Sequence, residues 1–524
     1  MSTMSQVFNQ LPKQWQLLFI GVLLPVLSLL LIVRRSSAEK GLKLPPGPVR
    51  LPVLGNLHQL GPLPHRSLRE LAQRHGAVML LRLGATRMLV VSSASAAREV
   101  LQTQDADCCS RPACPGPRLL SYGFKDVVFA PYGEGWRERR KLVVSELLSM
   151  RGAKAAWGAR QEQVDILMAA LTNGSNKPVS LGDHIYGVTD GIIGTVALGS
   201  IYGKDKFAGK KRQFQDLFHE AMRMLGNFSG EDFFPNAVGR IVDRITGIVA
   251  RREKVFSELD GFFEMVVEEH LKPGRAKGSG DLVDALIDVW KEGHGFTRDH
   301  IKAIILDTFV GGVETSSSTI LWAMSELIRR PRILKKVQEE IRAAAGGNER
   351  VLPDDLPKLT YLKRVMKETL RLYPPATLLA PRETMRHVRI GGYDVPAGTW
   401  VSVNAWAIGR DMASWGEDAE EFEPDRFLDS VVELQGTHFQ LLPFGAGRRI
   451  CPGIAMALMN VEFTLANMLC GFDWALPEGV KPEDVCMEEA GALAFHRKTP
   501  LLLVPTPYRA VSVQGRVDGH YVRC

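Results

Sequence analysis

The sequence predicts a mainly helical fold with a small β region. Strand-like runs are few and cluster towards the two ends of the chain, whereas the middle repeats apolar residues at three- and four-residue spacing. The longest such stretch, 297–330, starts at the N-cap candidate Thr297 and stops before Pro331. At about 50 Å it is long enough to cross a whole domain.

The remaining elements follow from the same two periodicities. The predicted strands are 77–83, 87–92, 388–390, 400–404 and 501–504. The other predicted helices are 161–171, 254–270, 282–291, 332–345 and 456–469. No Gly/Ser linker, long charge run or internal repeat divides 44–507, so one large domain is favoured.

The N-terminal segment 17–33 predicts a membrane anchor. It carries no ionisable residue and is just long enough to span a bilayer. Arg34 and Arg35 follow it directly, so the positive-inside rule places the rest of the chain in the cytosol. A cleaved signal peptide is the competing interpretation, but no small-x-small cleavage pattern precedes the basic residues.

Closely spaced prolines after the anchor predict a stiff, extended spacer at 44–48. The expected organisation is an anchor (1–36), a basic and Pro-rich hinge (37–52), a catalytic domain (53–507) and a C-terminal tail (508–524).

Composition excludes several classes of protein. Seven cysteines is an odd number without metal-binding spacing, which argues against a disulfide framework and for a reducing compartment. The net charge of +7 is modest for 524 residues and is not gathered into a basic tract, so nucleic acid is not an expected partner.

The centre of the long helix breaks a local rule. Gly311 and Gly312 each cost about 1 kcal/mol relative to alanine, and a run of hydroxyl residues follows them. One interpretation is that the glycines open space for a flat cofactor or substrate, with Glu314 and Thr315 as an acid and an alcohol beside the gap. The other is a helix kink in which Thr315 bonds to a carbonyl one turn back. The helix alone does not decide between them.

A glycine-rich loop near the C-terminus presents Cys451 at the start of an apolar helix. A stable thiolate needs backbone N–H donors, a helix N-terminus and a nearby cation, and the loop is expected to supply all three. Gly445, Gly447 and Gly453 are expected to permit turns with positive φ, while Arg449 can reach an anionic group. The competing interpretation is a buried structural cysteine. The residues whose joint spacing makes a chance match rare are Phe444, Gly447, Arg449, Cys451 and Gly453.

Two further charged groups share helix faces. Glu368 and Arg371 lie at i and i+3 between apolar residues, and Arg426 is expected to complete a buried network with them. Trp136 and Arg140 lie four residues apart, so an indole N–H and a guanidinium can hold a carboxylate together.

Together these motifs resemble the cytochrome P450 family, the haem-thiolate monooxygenases, over about nine-tenths of the chain. The resemblance implies haem b with Cys451 as the axial thiolate, O2 as co-substrate, and NADPH electrons from a separate cytochrome P450 reductase. It also implies that Glu314 and Thr315 deliver protons. The expected partners of the haem propionates are Trp136, Arg140, Arg382 and Arg449.

In detail the chain resembles the plant A-type group of endoplasmic-reticulum members, which are anchored by a single span. The stretches 108–112, 190–195, 231–235 and 495–500 resemble its oxime-metabolising members, which convert an aromatic aldoxime to a nitrile and then to a hydroxynitrile. Two positions depart from the family pattern: Gly311 stands where alanine is frequent and Glu314 where aspartate is common.

Substrate contacts are expected from 114–129, 303–312, 376–380 and 491–495, which are mostly small or apolar. The pocket residues named by this expectation are Gly311, Gly312, Ala376, Thr377, Leu378 and Leu493. The alternatives left open are a hydroxylase of another small aromatic, flavonoid or terpenoid, a haem-thiolate isomerase or dehydratase, and a non-enzymatic haem sensor.

Overall fold

A computed structural model describes residues 41–508 except 149, 203–208, 236, 274–279, 294 and 492. Its α-helices are α1 (Pro64–His75), α2 (Ala94–Arg98), α3 (Asp105–Cys108), α4 (Pro115–Leu120), α5 (Glu134–Val143), α6 (Met150–Ala155), α7 (Trp157–Asn173), α8 (Leu181–Leu198), α9 (Lys211–Gly226), α10 (Gly230–Phe233), α11 (Ala237–Ile245), α12 (Ile248–Leu271), α13 (Leu282–Glu292), α14 (Arg298–Arg329), α15 (Pro331–Ala344), α16 (Thr360–Leu372), α17 (Ala405–Ile408), α18 (Met412–Trp415) and α19 (Ile454–Gly471). The predicted mainly helical fold is confirmed.

The strands form four small sheets, and most lie near the ends of the described chain. They are β1 (Val78–Leu83), β2 (Thr86–Val91), β3 (Val179–Ser180), β4 (Arg382–Glu383), β5 (Val388–Ile390), β6 (Tyr393–Val395), β7 (Trp400–Val403), β8 (Phe472–Ala475), β9 (Glu489–Gly491), β10 (Phe495–Arg497) and β11 (Leu502–Pro507). The largest sheet has the order β1-β2-β7-β4, with β2 parallel to β7 in the register Met88 opposite Trp400. The other sheets are β3-β11-β8, β5-β6 and β9-β10.

Helix α14 organises the core. It has 32 residues, or about 48 Å, and supplies side chains to both of the large apolar clusters. Thr297 caps its N-terminus in a reciprocal arrangement with the His300 side chain. At the other end Pro331 begins α15, because proline fits the first turn of a helix and not its interior. The predicted bounds of this helix therefore hold to within one residue.

The Pro-rich stretch packs against the largest sheet. Leu80 N–H of β1 donates to Pro46 O at 2.8 Å, and a Cβ on Gly47 would lie 2.2 Å from Leu80 O, so only glycine fits there. The predicted anchor at 17–33 and the tail beyond 508 lie outside the described residues. One described helix, α19, is long and apolar enough to cross a membrane, but 61% of it is buried in the protein core.

Candidate active site

A cavity of about 310 Å³ lies between the middle of α14 and the loop that precedes α19. Gly311, Gly312 and Thr315 line it from the helix, and Phe444, Arg449, Cys451 and Gly453 line it from the loop. Two motifs separated by more than a hundred residues therefore face each other across one space.

The face of α14 that borders the cavity is set by helical spacing. Asp307, Gly311 and Thr315 lie at i, i+4 and i+8, and all three keep accessible surface in a helix that is otherwise mostly buried. A Cβ on Gly311 would meet nothing, whereas one on Gly312 would lie 2.4 Å from the Ile193 side chain of α8. The missing side chain at Gly311 therefore widens the cavity but is not needed for helix packing. The missing side chain at Gly312 is also needed for packing, because α8 approaches this residue closely.

The hydroxyl residues bond back to the helix. Thr315 Oγ1 donates to Gly311 O at 2.6 Å, and Thr319 Oγ1 donates to Thr315 O at 2.8 Å. The bond from Thr315 to a carbonyl one turn back, which the second interpretation expected, is therefore present. Helix α14 nevertheless continues without interruption through Gly311 and Gly312. Ser318 Oγ instead donates to Phe495 O at 2.8 Å and so fixes β10 against the helix.

Glu314 does not line the cavity. It is 8% exposed, and its Oε1 lies 3.3 Å from His496 Nδ1 of β10. Thr315 lines the cavity on the same helix face as Gly311, whereas the Glu314 side chain points towards β10. The expectation that the pair sits side by side at the gap is corrected to Thr315 on the cavity wall and Glu314 behind it.

The cysteine loop is shaped by two of its three glycines. Gly445 and Gly447 both have φ of 69°, and a Cβ on Gly447 would lie 2.2 Å from Leu101 O. Gly453 has φ of −93°, so the expected positive φ is wrong there; it caps α19 instead. Cys451 N–H donates to Phe444 O at 2.9 Å, which closes the loop and turns the thiol towards the cavity.

The structure places the expected groups around Cys451. The Gly453 N–H at the start of α19 and the Arg140 guanidinium lower the pKa of this thiol, whereas burial, the largest influence, raises it above its ordinary value. A coordinated metal ion would deprotonate a ligating thiol outright.

Four arginines border the cavity: Arg111, Arg140, Arg382 and Arg449. Burial lowers the pKa of Arg111 well below its ordinary value, and the charges of Arg449 and Arg382 lower it further. Burial likewise lowers the pKa of Arg140 and takes that of Arg449 to about 10. We call this group the cavity arginines; its positive charges are close enough to disfavour one another.

The cavity arginines are held mainly by backbone carbonyls. Arg449 donates to Cys109 O at 2.9 Å and Ala130 O at 2.6 Å, and Arg111 donates to Val128 O and Pro381 O. Among the residues that the structure describes, a close carboxylate partner is found only for Arg382, namely Asp105 Oδ1 at 2.7 Å. The group therefore carries surplus positive charge at the edge of the cavity.

Trp136 has a different position from the one expected. Its Nε1–H donates to Val127 O at 2.9 Å, and its ring packs 4.0 Å from the Arg449 guanidinium and 5.6 Å from that of Arg140. The indole is buried and outside the cavity lining, so it orients the two arginines and does not offer its own N–H to a ligand.

These observations fit a haem. A thiol stands on one wall, the opposite wall is bare at Gly311, and the surplus cations at the edge match two propionate carboxylates. Arg111 belongs with this set although sequence reasoning passed over it. The only sequence feature at this position was the motif 108–112, which does not show how the chain folds around Arg111.

The structure brings Glu368, Arg371 and Arg426 together; we call them the buried triad. Arg371 Nε lies 2.6 Å from Glu368 Oε2, and Arg426 Nε lies 3.3 Å from Glu368 Oε1. Arg371 also donates to three backbone carbonyls, those of Gly409, Ala419 and Glu421. Every charge in the buried triad has a partner.

The expected pocket segments contribute unevenly. Ala376 and Leu493 line the cavity, whereas Thr377 is buried and Leu378 packs against the β1-β2-β7 side of the fold. Leu379 has φ of 52°, which reverses the chain and brings Leu379 and Ala380 to the cavity instead. Thr377 and Leu378 therefore do not line this cavity.

The loop 114–129 is divided between two spaces. Val127 and Val128 line the main cavity, and Cys114 and Tyr122 line a separate open cleft of about 1230 Å³ on the surface. More residues of this loop therefore line the surface cleft than line the main cavity.

Comparisons with known proteins agree with this geometry. The family described as Cytochrome P450 matches residues 45–504. The 4-hydroxyphenylacetaldehyde oxime monooxygenase of Sorghum bicolor is 59% identical over 96% of this chain and 97% of its own. The 2-methylbutanal oxime monooxygenase of Manihot esculenta is 44% identical over 96% of this chain and 99% of its own. A zebra fish cytochrome P450 solved with progesterone aligns at a TM-score of 0.73 and 28% identity, covering 85% of this chain and 99% of that one.

Proposed function

Because this chain belongs to the cytochrome P450 family, we propose that it converts an aromatic aldoxime of the 4-hydroxyphenylacetaldehyde oxime type to a nitrile and then to a hydroxynitrile. It is a haem-dependent monooxygenase that uses O2. The observation that carries the substrate proposal is the 59% identity, along almost the whole chain, with a relative named for that oxime. The Manihot esculenta relative is also named for an oxime.

The two steps have different requirements. Dehydration takes R–CH2–CH=N–OH to R–CH2–C≡N and water, with no net electrons. Hydroxylation takes R–CH2–C≡N, O2, NADPH and a proton to R–CH(OH)–C≡N, water and NADP⁺. When bound, haem iron supplies O2 activation, with NADPH electrons that a separate cytochrome P450 reductase passes on.

The residues of this chain bind and orient. We assign the axial ligand to Cys451 and the propionate contacts to Arg111, Arg140, Arg382 and Arg449. Thr315 Oγ1 holds a hydroxyl proton at the cavity wall. Behind it the Glu314 carboxylate lies 3.3 Å from His496 Nδ1, close enough for an ion pair when the imidazole is protonated, and the His496 side chain is 33% exposed.

The setting of the enzyme is proposed with it. We place an anchor at 1–36 in the endoplasmic-reticulum membrane, a hinge at 37–52, and the catalytic domain, 53–507, in the cytosol. The contact between Pro46 and Leu80 supports a fixed relation between the hinge and the domain.

The test is reconstitution of the full chain with cytochrome P450 reductase and 4-hydroxyphenylacetaldehyde oxime. We expect nitrile formation and, with NADPH and O2, hydroxynitrile. Omitting NADPH should abolish the hydroxynitrile. Conversion of no aldoxime, together with NADPH-dependent oxidation of a flavonoid or terpenoid, would contradict the proposal.

A further inference from the structure

Asp307 is the only carboxylate among the described residues that line the main cavity. It lies on α14, eight residues before Thr315 and on the same face, so the two side chains are about 12 Å apart along the helix axis. The rest of the lining is apolar apart from hydroxyl-bearing residues, Asn460 and the cavity arginines, two of which, Arg111 and Arg449, donate to carbonyls of the segment 127–128. A single acid in such a wall needs an explanation.

One oxygen of Asp307 is fixed by the backbone. Oδ2 accepts from Val127 N–H at 2.7 Å and from Val128 N–H at 3.2 Å, which locks the orientation of the carboxyl group. Oδ1 has no hydrogen-bond partner among the residues that the structure describes, and it is not a fully buried atom. It is therefore available to a molecule in the cavity.

Burial, and next the nearby charge of Asp126, raise the pKa of Asp307 well above its ordinary value. Oδ1 accepts a hydrogen bond when the carboxyl group is ionised and can also donate one when it is protonated, so a hydroxyl group can bond to it in either state. An apolar substrate would leave this polar atom without a partner, whereas a hydroxyl group would satisfy it.

We propose that Asp307 Oδ1 hydrogen-bonds to a hydroxyl group at the end of the substrate remote from the oxime, which makes Asp307 a specificity-determining residue for para-hydroxylated aromatic aldoximes. This rests on the proposed function. The reacting end then lies beside Thr315, and the two-turn separation matches an aromatic ring carrying a two-carbon oxime chain. Fixation of Oδ2 by the loop backbone orients the acid before substrate arrives.

The test compares two oximes that differ by one hydroxyl group. Calorimetric affinity and kcat/KM are measured with the haem-loaded full chain and reductase for 4-hydroxyphenylacetaldehyde oxime and phenylacetaldehyde oxime. The wild type should favour the hydroxylated oxime by about tenfold. Asp307→Leu should bring that ratio close to one, and Asp307→Asn, whose amide still donates and accepts, should retain most of it.

Ser121→Ala is the matched control. Ser121 Oγ accepts from Phe124 N–H at 2.9 Å in the same loop, but Ser121 carries no charge and does not line the cavity. Loosening the loop should reduce affinity and kcat/KM by the same factor for both oximes. The preference for the hydroxylated oxime over the other one should therefore stay unchanged. Equal losses for both oximes in Asp307→Leu would overturn the proposal, because Asp307 would then act only on the loop. If the wild type turned over neither oxime yet bound the hydroxylated one more tightly through Asp307, the proposed reaction would fail and this assignment would stand.

Discussion

The buried triad and the cavity arginines are both groups of arginines in the interior, and they differ in how their charge is compensated. In the triad, Glu368 accepts from both arginines, and carbonyls occupy the remaining donors of Arg371. Among the cavity arginines, Arg382 forms an ion pair with the Asp105 carboxylate. Burial and repulsion between the arginines lower the pKa values of Arg111 and Arg449. A fully paired buried charge makes the fold sensitive to the loss of either partner, whereas surplus buried charge indicates where an anion binds.

The largest expected effect comes from breaking the triad. Arg371→Ala leaves the Glu368 carboxylate buried without its closest partner, so the free energy of unfolding should fall by about 3–5 kcal/mol. Chemical denaturation of the purified protein measures this. The matched control is Glu339→Ala on α15, whose side chain is 66% exposed and which should change stability by less than about 0.5 kcal/mol. Equal effects of the two variants would show that the triad is not special.

The next effect concerns haem retention. Arg140→Leu removes a cavity arginine whose described hydrogen bond goes to Ile450 O alone. The rate of haem transfer to an excess acceptor protein should rise about 10- to 100-fold, because a charge-assisted bond is lost. Arg137→Leu, an exposed neighbour on the same helix, should not change that rate. If both variants kept their haem equally well, the cavity arginines would not hold an anion.

A smaller effect is expected at Glu462, a largely buried carboxylate with a single nearby cation. Burial raises the pKa of Glu462 to about 7, and Lys363 Nζ lies 3.6 Å away. A raised folded-state pKa stabilises the protein below the unfolded value of 4.5, and that contribution is lost as pH rises through about 7.

Glu462→Gln should therefore stabilise the protein at pH 8, by on the order of 2 kcal/mol, and progressively less as pH falls towards 6. Denaturation curves at several pH values measure the trend. Glu433, whose side chain is 50% exposed and pairs with Lys367, supplies the control, and Glu433→Gln should show no such dependence on pH. A constant difference across this range would contradict the pKa shift.

Local chemistry explains what the sequence could predict. The bounds of α14 follow from the Thr297 cap and the Pro331 stop, and the cysteine loop is readable because glycines with positive φ are required within a few residues of Cys451. The helical spacing of Glu368 and Arg371 could be read in the same way, since both lie on α16.

Contacts between distant segments could not be read from the sequence. Gly312 is needed by Ile193 of α8, the turn at Leu379 decides which of its neighbours face the cavity, and Trp136 gives its N–H to Val127. Asp307 and Arg111 become significant only when the chain closes around one cavity. Each of these features depends on tertiary packing between distant segments, which the spacing of residues along the sequence does not show.

The central claim is that Cys451 is the axial thiolate of a haem held against α14. The direct measurement is the spectrum of the reduced, carbon monoxide-bound protein, compared among wild type, Cys451→Ala and Cys470→Ala. Cys470 is also buried but lies outside the cavity lining. We expect the red-shifted Soret band of a thiolate-ligated haem in the wild type and in Cys470→Ala, and its complete loss in Cys451→Ala. Persistence of that band in Cys451→Ala would contradict the claim.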